Sequence, residues 1–552
     1  MHVFKTDALN TNTLNAITLK TSTMNTNMLN AGTLNANALN AKKLKDSTLN
    51  VNTLKTKNLN AGTLNANTLK TIILNSFAAP AIRIMAIGIL FVMLTAACSP
   101  DETVQDEASA EPSIVNLDHL DSLGELVMHN GEQVRLIHIY AEAPDYHWVG
   151  DPNEGVSCVD DVARSAVVYL RHFELTGDKE SAEKAVQLLR FILNMQTDEG
   201  TYYNFVLSNA LDINTTHQNS IANEMNWWAG RAVWALGTGA RVLAQHDPAF
   251  AQVCLESVDR ALPRINDFLA SYPETQTING YPMPAWLISG TASDASSELL
   301  LGLVAADKAT SHGNYDEAIS KISEGMALMQ YGNLSEAPYG AHISWEGGWH
   351  GWGNSQTMAL AEAGNTESAL HEANHFYPWL LVNDWLHSFE LQDPSNRRYF
   401  EQIAYAVRPV SVGLLRLYEN TGNETYAVMA GLAASWFTGN NVTGQPMYDP
   451  EQGYGFDGIN DENTINRNSG AESTIEALMT ILEVEQHPVA NKWMYAKGGA
   501  QADVEKDGKR YRYRVFSVEQ NGEAERIAVV LNLTDAVSSL MIETELNRLT
   551  AR

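Results

Sequence analysis

Two adjacent carboxylates, Asp160 and Asp161, stand at the head of the otherwise apolar run "GVSCVDDVARSAVVYL" at 155–170. Paired acids divide proton transfer between them, one as acid and one as base, when their surroundings split their pKa values. Ser157, three residues before Asp160, also reads as a variant capping box, and Asp160 and Arg164 have the i, i+4 spacing of a helical ion pair. Apolar residues at 159, 162, 163, 166, 167 and 170 leave such a helix buried on most sides, with its acidic mouth as the wet end. One acid suffices for a cap, so the second is the candidate for chemistry.

Three further stretches carry residues of the same kind. In "NEMNWWAGRAVWALG", Glu224, Trp227, Trp228 and Arg231 recur at i, i+3, i+4 and i+7, the spacing of one helical stripe. Arginine beside tryptophan and glutamate suits a carboxylated or densely hydroxylated ligand, or else a Glu224 to Arg231 pair across two turns. In "HISWEGGWHGWGNSQTMAL", Glu346, His350, Trp345, Trp349 and Trp352 crowd a glycine-rich loop, where flat apolar faces could stack on a ring-shaped ligand. His147 and Trp148 precede the two aspartates. Glu472 and Ser473 open a late helix, while Asp461 reads as solvated loop and Asp294, Glu298, Asp384 and Glu390 read as salt-bridging or capping acids.

The elements that must position these residues are mostly helices. Periodicity and caps predict helices at 158–176, 179–196, 219–245, 248–270, 293–309, 314–330, 353–364, 366–388, 398–420, 423–437 and 470–486. "ELTGDKE" and "ENTGNET" each end one helix at glycine and start the next at Asp or Asn, as a helical hairpin requires. About six hairpins result, with long aromatic loops before each first member. The pattern resembles the (α/α)6 toroid of the six-hairpin glycosidase superfamily, which several polysaccharide lyases share; "DDVAR", "GTYYNF" and the tryptophan stripe also resemble toroid domains found beside bacterial glycosyltransferases. Spacings of roughly 50 to 75 residues between hairpins depart from the near-constant unit of an α-solenoid. Alternating "KRYRYRVFSVE" and "ERIAVVLNLT" suggest a small β-module at 488–552, so the expected fold is an all-α toroid over 118–487 with that module appended.

The N-terminal part differs in texture. Within residues 1–75 a leucine, or methionine at Met24, recurs every five residues from Leu9 to Leu74, in units such as "TLNAN", resembling pentapeptide-repeat β-helix sequence but with Asn and Lys at positions that should point inward; a start of translation nearer Arg83 would remove this segment from the protein. At 76–98, Arg83, an apolar run and small residues ending at Cys98 resemble a bacterial lipoprotein signal, which implies lipidation of Cys98, a polar tether at 99–117 and an exported, membrane-anchored protein. The chain has 36 Lys and Arg against 65 Asp and Glu, and from residue 98 onward the balance is 27 to 63. Such a surface disfavours nucleic acid or anionic lipid as a charge partner. Three cysteines without knuckle spacing give no metal site, and GxSxG, Walker and HExxH motifs are absent.

The expected activity is therefore hydrolysis of a glycosidic bond in an oligo- or polysaccharide, without a cofactor. Asp161 and Glu224 form the first acid and base pair, with Asp160 and Glu346 in reserve. Trp148, His147, Trp227, Trp228, Arg231, Trp345, Trp349, His350 and Trp352 are the expected sugar contacts. A lyase acting on a uronic-acid glycan, with Arg231 on the sugar carboxylate, and a non-catalytic glycan-binding lipoprotein are the alternatives.

Overall fold

A computed structural model describes residues 113–551 apart from Ser311 and Asn521, together with four two-residue strands in the separate unit Met1–Glu111. The five-residue repeat, the signal-like segment with Cys98 and nearly all of the tether lie outside the described residues. Among those described, no helix is long and apolar enough to cross a membrane.

Twelve helices form six hairpins in the unit Pro112–Arg552. The first members are α1 (Val159–Thr176), α3 (Trp227–Val242), α5 (Ser293–Thr310), α7 (Gln356–Glu362), α9 (Ala404–Thr421) and α11 (Ala471–Val484). Their partners are α2 (Lys179–Met195), α4 (Pro248–Leu269), α6 (Asp316–Leu328), α8 (Thr366–Asn383), α10 (Glu424–Ala434) and α12 (Pro488–Trp493). Each first member packs on the next, and α11 packs back on α1, so the inner ring closes. This is the (α/α)6 toroid, with the inner helices buried nearly all round and the outer ones, such as α2 and α4, keeping a solvent face.

The two matching turns behave as their sequences require. Gly177 and Gly422 take left-handed conformations that end α1 and α9, at φ 74° and 70°. Asp178 then accepts from the backbone N–H of Glu180 and Ser181, and Asn423 from that of Thr425, which starts the outer helices.

Several boundaries differ from expectation. The second inner helix starts at Trp227 rather than 219, because Asn226 caps it by accepting from Ala229 N–H. Residues 488–493, expected in the β-module, supply the last outer helix, with Pro488 at its first turn. The module itself is an antiparallel meander, β1 (Lys497–Lys506), β2 (Lys509–Gln520), β3 (Glu523–Asn532) and β4 (Val537–Ile542), in sequential order. It covers α8, where Arg512 reaches Asn383 and Ser538 reaches the Asn374 carbonyl, which explains why that outer helix is buried. Short strand pairs also shape the loops before the inner helices, among them Tyr140–Glu142 with His147–Val149 and Ser157–Cys158 with Phe205–Val206.

Candidate active site

The N-terminal ends of the inner helices converge on a cavity of about 370 Å³ whose floor holds Asp160, Asp161, Arg164, Arg231 and Glu472. Its walls include Tyr140, Glu142, Glu154, Phe205 and Asp457. Strand pairing sets this entrance: Cys158 is extended and precedes α1, with Ser157 and Cys158 laddered against Phe205 and Val206. The expected capping box therefore does not form. Ser157 Oγ accepts from Ile137 N–H instead, and Cys158 makes no side-chain cap.

Both aspartates are drawn inward by arginines. Asp161, 4% exposed, accepts from Arg164 Nη2 at 2.8 Å and from the Cys158 thiol at 3.2 Å. Burial pushes its carboxyl up to about 6 even against the pull of Arg164, with Glu472 and Asp160 adding to the rise. Asp160 accepts from Arg231 Nη1 at 2.8 Å and from Asn204 Nδ2 at 2.9 Å. The expected Asp160 to Arg164 side-chain pair is replaced by Asp161 to Arg164, three residues apart, while Arg164 Nε donates to the Asp160 backbone carbonyl.

Beneath the floor, ion pairs of alternating charge run from Arg164 round to Asp160, and the cycle is closed by the bond from Arg164 Nε to the Asp160 backbone carbonyl. Arg164 Nη1 meets Glu476 at 2.9 Å, Glu476 meets Arg408 Nε at 2.6 Å, and Arg408 Nη2 reaches Glu298 at 3.4 Å. Glu298 takes Arg231 Nε at 2.6 Å, and Arg231 returns to Asp160. Tyr405 stands inside the cycle with all three guanidinium carbons 5.2–5.4 Å from its ring centre, and its hydroxyl donates to Glu298 and accepts from Arg231 Nη2. These charges are buried but each has a partner, the condition under which buried ions are tolerated. Glu298, read from sequence as an ordinary salt-bridging acid, is thus at the ring axis.

The other expected residues are scattered more widely. Glu224 lies on an exposed loop before α3, off the helical stripe, and does not line the cavity. Arg231 does not pair with it; the three nitrogens of Arg231 are taken by Glu298, Asp160 and Tyr405. Trp227 underlies Arg231, whose guanidinium carbon is 5.0 Å from the ring, and Trp228 donates to the Tyr202 carbonyl. Glu346 sits exposed in a tight turn and accepts from Thr291. Of its tryptophan neighbours, Trp345 and Trp352 are 48% and 36% exposed, but Trp349 is 1% exposed and packs against Phe376 and Phe389. Trp349 is core because strand Gly348–His350 alternates its faces and turns this ring inward.

His350 is nearly buried, with Nε2 3.1 Å from Asp294 and its ring stacked on Trp352 at 4.1 Å. Trp148 stacks on His138 at 3.8 Å and donates to the Ser122 carbonyl, while His147 is exposed beside it. Asp461 is exposed as expected, but it ends the strand Gly458–Asp461, opposite Thr464, and does not lie in a loop. Sequence reading missed Arg408, Tyr405 and Glu476. A signal existed for Arg408 and Glu476: each is a charged residue inside a largely apolar helix, where a buried charge must find a partner.

No family model matches the chain, and no curated protein matches its sequence. Similar solved structures include a sugar epimerase from a ruminal bacterium, 11% identical, with TM-score 0.48 over 68% of this chain and 97% of that one. Cellobiose 2-epimerase from Bacillus thermoamylovorans is 11% identical, with TM-score 0.46 over 63% and 92%. A family 88 glycosyl hydrolase from Bacteroides vulgatus is 12% identical, with TM-score 0.37 over 59% and 91%. The fold is the (α/α)6 toroid, as the closed inner ring itself establishes.

Proposed function

We propose that the protein hydrolyses a glycosidic bond in an oligo- or polysaccharide, with Asp161 as the acid and Glu472, in place of Glu224, as its partner. One observation carries the reading: a nearly buried carboxyl raised to about 6 shares a single guanidinium nitrogen with a half-exposed carboxylate at the floor of a cavity. Asp161 Oδ1 and Glu472 Oε2 lie 2.8 and 3.1 Å from Arg164 Nη2, so they stand at most about 5.9 Å apart. That spacing suits retention, where the carboxyl groups are roughly 5–5.5 Å apart, rather than the wider gap that admits water for inversion. Protonated Asp161 gives its proton to the glycosidic oxygen as Glu472 bonds to the anomeric carbon. The leaving sugar departs as an alcohol, and water, deprotonated by Asp161, then displaces Glu472.

The charge at the floor argues for a neutral or amino-sugar substrate over a uronic acid. Arg231 has its three nitrogens engaged by protein groups, and six carboxylates line the cavity against two guanidiniums. A uronate carboxylate would enter this field without a free cation. Export and lipid anchoring through Cys98 belong to the same reading and rest on the sequence.

The test is a glycan panel with the purified protein. Hydrolysis releases reducing ends without an ultraviolet-absorbing unsaturated sugar. Unsaturated product would establish elimination instead, and a ligand-induced rise in Tm without either product would leave a binding protein.

A further inference from the structure

Two buried residues outside the cavity are placed to govern the pair at its floor. Glu476 is fully buried and gives one oxygen to each of two arginines, Oε1 to Arg164 Nη1 at 2.9 Å and Oε2 to Arg408 Nε at 2.6 Å. Arg164 has no latitude left, because Nη2 is shared between Asp161 and Glu472 and Nε donates to the Asp160 carbonyl. Neither Glu476 nor Arg408 lines the cavity.

We propose that Glu476 and Arg408 are positioning residues that act through Arg164, fixing the fork that holds Asp161 beside Glu472 and setting how strongly that fork attracts the Asp161 carboxylate. The proposal rests on Asp161 and Glu472 being the reacting pair. The charged and titratable groups facing Asp161 are Cys158, Asp160 and Arg164 from α1 and its approach, Glu472 from α11, and Tyr140 from the strand Tyr140–Glu142, with Arg231 of α3 in the same cavity and held on Asp160. Of these, Arg164 alone is tied directly to Glu476. Losing the Glu476 charge frees Arg164 to pull harder on Asp161. Losing the Arg408 charge leaves Glu476 to draw Arg164 away. The two changes therefore act with opposite sign.

The experiment compares Glu476→Gln, Arg408→Met and the double variant, which removes the pair together and is the least disruptive to folding. The substrate-free readout is the titration of the Asp161 carboxyl followed by carbon NMR, assigned with Asp161→Asn. The expected result is a downward shift of about one pH unit in Glu476→Gln, an upward shift of similar size in Arg408→Met, and a value near wild type in the double variant. In a turnover assay the alkaline limb moves with these shifts while KM stays within about twofold, since neither residue touches the cavity. Folded single variants with an unmoved Asp161 titration would overturn the proposal. So would failure of all three variants to fold, which would assign the pair to the fold alone. If the titration shifts as expected but no glycan is turned over, the hydrolase reading falls and the positioning role stands.

Discussion

A methyl group built on Gly237 of α3 would stand 2.1 Å from the carbonyl oxygen of Gly302 on α5, and one on Gly302 would stand 2.5 Å from the Val233 and Trp234 backbone. Backbone thus meets backbone where these two inner helices cross. The contact lets Arg231 of α3 reach Glu298 of α5 at 2.6 Å, nearer the cavity along the same two helices. Gly302→Ala is expected to destabilise the protein by about 1–3 kcal/mol through overpacking. It should also weaken turnover, because the Arg231 to Asp160 contact moves with the helix. Equilibrium urea unfolding beside a turnover assay checks both, and unchanged stability would remove the glycine crossing from the account.

The raised Asp161 carboxyl makes a signed prediction about stability. Between its ordinary value near 3.8 and about 6, the folded protein holds a proton that the unfolded chain has released. Stability from this group therefore falls as pH rises through that interval and stays lost above it. Asp161→Asn cannot ionise, so it should be more stable than wild type at pH 7–8, by about 1–3 kcal/mol, and should show no gain below pH 4. Thermal melts across pH decide this, and a variant less stable at pH 8 would contradict the raised value.

The proposed role of the same group as the acid predicts a matching rate profile. Turnover should fall about tenfold per pH unit above about 6, as protonated Asp161 is depleted, and Asp161→Asn should be inactive throughout. A profile flat to pH 8 would require another acid.

Retention can be tested chemically. Glu472→Ala should lose turnover by several orders of magnitude and recover part of it with azide, which enters the vacated space and gives a glycosyl azide of the opposite anomeric configuration. Products with inverted stereochemistry from the wild-type protein would exclude Glu472 as the nucleophile.

The three tryptophans near 350 should separate cleanly. Trp349→Ala removes a core ring packed on Phe376 and Phe389 and should cost about 3–5 kcal/mol. Trp345→Ala and Trp352→Ala should leave Tm within a few degrees; a glycan that stacks on them will show a raised KM in those variants.

Helix periodicity and end signals made the ring legible, since inner helices are apolar all round and the Gly177 and Gly422 turns announce hairpins. Asp160, Asp161 and Glu472 were visible because acids at a helix mouth stand out against apolar neighbours. Glu224 misled because the i, i+7 match to Arg231 assumed a helix that begins three residues later. Trp349 misled because part of the glycine-rich stretch is a strand, Gly348–His350, buried along its whole length. The cycle around Tyr405 joins α1, α3, α5, α9 and α11, residues up to about 310 positions apart, and no local pattern reports a pairing at that range.

A second cavity of about 370 Å³ opens among the C-terminal ends of the inner helices, lined by Arg171, Trp234, Lys308, Arg416 and Glu483 among others. The Arg164, Glu476, Arg408, Glu298 and Arg231 cycle lies between those residues and the Asp161 floor along the same helices. The toroid is consequently a cup with a sealed bottom and not a tunnel. No strand passes down the axis, so whatever enters the Asp161 cavity leaves by the mouth it came in through.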